Sequence, residues 1–282
     1  MSETLVGQPV KRVDGRLKLT GAARYTADQH PAGMVHAYGV FSTIASGRIQ
    51  HIDTREARRV PGVIDILHHE HVPRLYRPKK SPIAIPTILR ATITDESRLP
   101  FEDATVNYAG QFVALVIADT FEHAREAAMR VAVSYASQPA VATLDQGLAQ
   151  NGTRDGGRGH ARGEPEPAFE AAAYRVDLTY RTPVETHNPI ELHATVASWE
   201  DGRLHVYEAS QGVTVHRNTL ASVFGLTPEQ VTVEAPFIGS GFGSKLFMWP
   251  HSVAASAASL AVGRPVKLLV PRAQMFTATG HR

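Results

Sequence analysis

The chain has 282 residues, with 29 Lys and Arg against 27 Asp and Glu, for a formal net charge of +2. That balance leaves no large basic field for nucleic acid or an anionic membrane, and 43% apolar with 20% charged residues describes a folded globular chain. Cysteine is absent, which excludes a disulfide framework, thiolate zinc, a cysteine nucleophile and iron–sulfur ligation within this chain.

The length suits about two domains. No run approaches the roughly 18 apolar residues of a membrane span. Residues 1–12 lack the apolar core of a secretory signal, so the expected location is the cytoplasm, or the periplasm if a partner carries the chain out. Residues 5–24 are polar and Gly-punctuated and read as a surface arm. Residues 34–43, 49–53 and 63–67 have strand character, with a short helix predicted to end at Arg59, before Pro61 and Gly62. His68, His69, Glu70 and His71 adjoin one another, but neighbours on a strand face opposite sides and the spacing is not that of a zinc helix. Pro78, Lys79 and Lys80 read as a solvated loop.

Phe112–Ala118 is an unbroken apolar run, which predicts a strand buried on both faces. Asp119 and Glu122 resemble a capping box, and Phe121, Ala124, Ala128 and Val131 share one helical face, so the helix is expected over 121–133. A strand over 131–135 would close this α+β unit near residue 136. Residues 150–167 are rich in Gly, Arg and Pro and predict a linker; an arginine–glycine RNA-binding segment would carry interleaved aromatics, which are missing. Strands are predicted over 174–182, 195–199 and 204–208, the last two joined at Asp201 and Gly202. A helix over 217–224 is closed by Gly225, a helical turn opens at Thr227, and a strand covers 231–234. A small-residue helix from His251 to Val262 ends at Gly263 and leads into a strand over 266–270.

Residues 239–245, GSGFGSK, stand between a strand and that helix. Three glycines free the backbone to approach a ligand, and N–H groups ahead of a helix can face an anionic or oxo group. The loop is not a P-loop, which needs Gly at position 244, nor a dinucleotide fingerprint, which needs Gly there and an acid some twenty residues on. Glu185, His187, Glu191 and His193 form an acid and imidazole group compatible with hydrolysis, metal binding or a supporting role.

GSGFGSK, the Ala-rich helix, Gly263 with Arg264, Pro265 and Lys267, and Pro271 with Arg272 together resemble the molybdenum-binding subunit of the xanthine dehydrogenase/aldehyde oxidase family. The bacterial periplasmic-type aldehyde oxidoreductases look closest. Residues 13–25 (VDGRLKLTGAARY) resemble the family's N-terminal arm, and 108–114 (YAGQFVA) its hammerhead domain. Glu191-Leu192-His193 stands where the family usually has Glu-Pro-His. The resemblance implies an α+β fold: an arm over 1–19, a hammerhead α/β domain over 20–136, a linker over 137–167 and an incomplete first molybdopterin-binding domain over 168–282. It implies that Gln211, Gly241, Phe242 and Gly243 contact the cofactor, with no direct metal ligand, and that Glu191 and His193 support the site from behind. The family most often has Gly at positions 240 and 244. Leu246 stands where purine-oxidising members carry an acid, which favours an aldehyde substrate.

The same resemblance implies that the general-base glutamate and most pterin contacts lie beyond Arg282, so the chain holds no catalytic residue of its own and is expected to be inactive alone. The implied activity is oxidation of aldehydes to carboxylic acids with water as the oxygen source. It would use a molybdenum cofactor in its cytosine dinucleotide form, with iron–sulfur clusters and FAD on partner subunits and a separately encoded C-terminal half as a further partner. The alternative is a truncated, incompetent fragment that serves as an interaction or assembly module. An exposed apolar edge over 266–270 is expected of a half-built second domain.

Overall fold

The computed structural model describes residues 6–77, 98–152 and 162–280. From residue 6 the arm carries one short helix, α1 (Gly15–Leu19), and is otherwise irregular. Strands β1 (Val35–Phe41), β2 (Gly47–Asp53) and β3 (Val63–His68) follow, then β4 (Thr105–Val106) and β5 (Phe112–Ala118). Helix α2 (Phe121–Arg130) and strand β6 (Ala132–Ser137) complete this part. One short helix, α3 (Leu144–Asn151), falls within the 137–167 span read as a linker, and a second, α4 (Pro165–Ala171), begins at its end. The second half runs β7 (Ala194–Glu200), β8 (Arg203–Glu208), α5 (Val213–Phe224), β9 (Val231–Glu234), α6 (Pro250–Val262), β10 (Val266–Leu269) and α7 (Arg272–Ala278).

All seven residues of β5 are buried, as a continuous apolar run requires when both neighbours and both faces are covered. It pairs antiparallel with β1 on one side and β3 on the other. On one face α2 brings Ala127 and Ala128 against Ile66, Ala114 and Val116. On the other, Ala254, Ala255 and Ala258 of α6 pack with Leu115, Ile117 and Leu268. The first ten residues of α6 are buried, and their small side chains let that helix lie close to the sheet.

Strand β10 pairs parallel with β1 and antiparallel with β7. The result is one seven-stranded sheet in the order β3-β5-β1-β10-β7-β8-β9, with a separate three-stranded sheet β4-β2-β6. This corrects the expectation of an exposed edge over 266–270: Val266, Leu268 and Val270 are at most 1% exposed, because β1 covers the side that the second half alone would leave open.

Other differences are local. Thr120, not Asp119, caps α2: its extended backbone lets Oγ1 accept the His123 N–H at 3.1 Å, while Asp119 engages His123 Nδ1 at 2.6 Å. Val131 turns extended, so the helix stops at Arg130 and the strand begins at Ala132. The helix expected before Pro61 is a single 3₁₀ turn, Ala57–Arg59. Residues 174–182 form no strand. Their alternation is real, but Tyr174 and Tyr180 are 94% and 82% exposed and no described strand pairs with them. His71 turns to Asp65, with Nε2 2.9 Å from the carboxylate, instead of joining its neighbours. Pro78, Lys79 and Lys80 lie outside the described residues, as do residues 153–161 of the expected linker.

Candidate functional site

The glycine-rich loop joins β9 to α6, and its backbone is unusual. Ser240, Phe242 and Gly243 have φ of 69°, 53° and 98°. Left-handed conformations at non-glycine residues cost about 1–3 kcal/mol each and persist only where the surroundings impose them. Gln211, just beyond the end of β8, imposes much of this shape. Its side-chain Oε1 accepts the N–H groups of Gly243 at 3.1 Å and Lys245 at 3.2 Å, and its own backbone N–H donates to Lys245 O at 2.8 Å. A Cβ on Gly241 would fall far inside contact distance of Gln211 Oε1 and 2.7 Å from its Cδ, so glycine is required there. Ser240 Oγ accepts the Ile190 N–H at 3.1 Å, and Ser244 Oγ donates to Gly241 O at 2.8 Å. Both serines at positions usually glycine in the resembling family thus tie the loop inward.

Beneath the loop lies a buried ion pair. Lys245 Nζ is 2.7 Å from Glu191 Oε2, with side-chain exposures of 0% and 9%. The same carboxylate oxygen accepts the Gly239 N–H at 2.8 Å, and Glu191 N–H donates to Gly239 O at 3.0 Å. Burial pushes the Lys245 ammonium below its ordinary pKa, while the Glu191 carboxylate opposes the shift. Arg272, at the start of α7, donates to the carbonyls of Pro189 and Ile190 at 2.6 and 2.9 Å and fixes the chain entering Glu191.

His193 Nε2 lies 3.2 Å from Ser244 O, which also accepts from Trp249 Nε1 at 2.5 Å. A carbonyl can only accept, so His193 carries its proton on Nε2. Burial, then the neighbouring His251, holds its pKa well below the ordinary 6.5, and burial likewise lowers His216. Both therefore take up a proton less readily in the folded chain than in the unfolded one, which protonates them as pH falls through about 6.5. Stability is expected to be full above pH 7 and to fall between pH 7 and 5.5. Urea midpoints across that range check this, and a flat profile would contradict it.

Deeper still, Glu208 is 1% exposed at the end of β8. It meets Thr195 Oγ1 at 2.6 Å, Ser252 Oγ at 2.9 Å and His251 Nε2 at 3.2 Å. Sequence reasoning missed this group. The signal was available: Leu204, Val206 and Glu208 occupy the buried face of a period-two strand, and a carboxylate on that face must have partners.

The structure thus brings Gln211, Gly241 and Gly243 together, with Lys245, Glu191 and His193 behind them. Phe242 sits on the same loop and is 65% exposed. Leu246 borders Gly212 and is 39% exposed. Glu185 is exposed, apart from part-buried Glu191 and buried His193, and the His187 ring would lie 3.9 Å from a Cβ placed on Gly243. Among the described residues no three acids or imidazoles are grouped so as to hold a metal ion.

Two family models match the chain: the aldehyde oxidase and xanthine dehydrogenase hammerhead domain over residues 20–139, and the molybdopterin cofactor-binding domain over 149–282. The aldehyde oxidoreductase molybdenum-binding subunit PaoC of Escherichia coli K12 is 34% identical over 281 residues, which is 99% of this chain and 36% of that protein. The xanthine dehydrogenase molybdenum-binding subunit of Escherichia coli O157:H7 is 31% identical, over 96% of this chain and 37% of its own. Among solved structures, aldehyde oxidoreductase from Desulfovibrio gigas superposes with a TM-score of 0.80 at 29% identity, covering 96% of this chain and 31% of that one.

The chain belongs to the xanthine dehydrogenase/aldehyde oxidase family.

It spans about a third of the length of these family relatives. Its α+β fold is that of the family's hammerhead and molybdopterin-binding regions. The donor chemistry of the loop suits the family's cofactor. Gln211 spends its oxygen on the loop, which leaves its Nε2 amide with no partner among the described residues. The N–H groups of Gly241 and Phe242 likewise have none there. Unpaired donors on a glycine loop fit a ligand rich in acceptor oxygens and nitrogens, which a metal-bound pterin is.

Proposed function

We propose that this chain is part of a molybdenum hydroxylase that oxidises aldehydes to carboxylic acids. The observation that carries the reading is the loop at 239–245, shaped by the Gln211 side chain, in a chain that matches both family domains. When bound, the molybdenum cofactor supplies two-electron oxidation with water as the source of oxygen. Gln211 Nε2 and the Gly241 and Phe242 N–H groups would donate hydrogen bonds to it, and Gly243 would line the same wall. The Lys245–Glu191 pair and His193 hold that wall rigid from behind, since a displacement of about an ångström at a reacting centre costs large factors in rate.

The domain limits proposed are 20–136 and 168–282. Leu246, without charge beside the loop, favours an aldehyde over a purine. The likeness to bacterial subunits favours the cytosine dinucleotide form of the cofactor. These 282 residues hold no cysteine to ligate an iron–sulfur cluster, and an iron–sulfur subunit and an FAD subunit are the proposed partners. The general-base glutamate belongs to sequence beyond position 282, carried by a C-terminal portion of the relatives' kind. No described helix is long and apolar enough to cross a membrane. The cytoplasm is the proposed compartment.

A second reading, an assembly module without turnover, draws on the bare apolar face of Tyr174, Val176, Leu178 and Tyr180. One experiment separates the two. The chain is co-expressed with a polypeptide supplying the remaining length of the relatives and with both redox partners, and molybdenum and pterin are measured per chain. We expect near one molybdenum in the complex, little in the chain alone, and a several-fold loss on Gln211→Ala. A complex that assembles without molybdenum would favour the assembly module.

A further inference from the structure

A buried carboxylate is costly unless its lone pairs are matched by donors, and an apolar side chain would fill the same space without that requirement. Glu208 is therefore informative. Its three donors come from two elements: Thr195 from β7, and His251 with Ser252 from the first turn of α6. Those contacts join the two ends of the candidate site. Gln211 follows Glu208 by three residues on one side. On the other, His251 and Ser252 come shortly after the loop, just past Trp249 and Pro250. The His251 ring stands edge-on to His193 at 5.5 Å, and His193 holds Ser244 O, the carbonyl that Trp249 also grips. A carboxylate in the core thus reaches, through two imidazoles, the backbone of the glycine loop.

We infer that Glu208 is a positioning residue: it ties the end of β8 to the start of α6 and so fixes the distance between Gln211 and the loop that Gln211 shapes. The identity of the ligand rests on the proposed function; the tie between β8 and α6 does not.

Hydrogen exchange on the full chain tests it without any cofactor. In Glu208→Gln, which keeps the volume and loses the charge, amides in 209–213 and 239–249 should exchange about tenfold faster, the size expected for loss of a charge-assisted hydrogen bond. Amides of β5 should keep their rates. Ile66→Ala, a cavity variant in the cluster under α2, supplies a general loss of stability and should leave the loop at its original rates. Should Glu208→Gln not fold, Ser252→Ala removes one donor and should accelerate the same amides several-fold. Uniform acceleration along the chain, unchanged loop rates, or the same local pattern in Ile66→Ala would overturn the inference. In the co-expressed complex, Glu208→Gln should also lose molybdenum on dialysis several-fold faster than the parent. A parent complex that never takes up molybdenum would remove the functional reading, while the exchange pattern would still decide the role of Glu208.

Discussion

Lys245→Met is expected to destabilise the chain by about 3–5 kcal/mol, the cost of leaving one member of a buried ion pair without its partner. In that variant the Glu191 carboxylate, 9% exposed, would retain only the Gly239 N–H on Oε2, and its Oε1 already lacks a partner among the described residues. Replacing both partners should cost less than replacing one, because apolar substitutes often match a buried pair in stability. Lys245→Met with Glu191→Leu is therefore expected to recover part of the loss in urea unfolding, although the Gly239 N–H would then go unpaired. A single variant within about 1 kcal/mol of the parent would show that the pair contributes little.

Gly241→Ala should cost about 1–3 kcal/mol, and for a reason distinct from backbone strain. Gly241 is not among the residues of positive φ, so its backbone tolerates alanine. The conflict is with Gln211, whose Cδ lies 2.7 Å from the new methyl and whose oxygen cannot retreat without releasing the Gly243 and Lys245 N–H groups. The effect is therefore coupled. Added to Gln211→Ala, the glycine substitution should cost much less than it does alone, and a double-mutant cycle on unfolding free energies measures the difference. Additive losses would mean that the methyl collides with something other than Gln211.

What the sequence made legible follows from how local each signal is. β5 was readable because seven consecutive apolar residues bury themselves wherever they are placed, and α2 because its alanines recur on one face. The glycine loop was readable as a place of backbone approach, and the resemblance supplied Gln211, a residue 32 positions from the Gly243 N–H it accepts. The failures concern partners instead of elements. Alternation at 174–182 specifies two faces but not what covers either. β10 read as an edge because nothing near it in sequence announces that β1 lies alongside. Glu208 was passed over as one more charged residue, although its place in the alternation set it among Leu204 and Val206.

The pairing of β10 with β1 also has a kinetic consequence. Val35 meets Val266 across the sheet, and Arg264 donates to Gly33 O at a separation of 231 residues. Contacts that distant form late, because closing so long a loop loses chain entropy before any strand pairing offsets it. As the chain emerges from the ribosome, β3, β5 and β1 can assemble early, yet one edge of β1 waits bare until residues 266–269 have been made. During that interval the molecule is most open to pairing with a neighbouring chain, which makes the rate of synthesis and the presence of a chaperone matter more to its yield than the stability of the finished sheet.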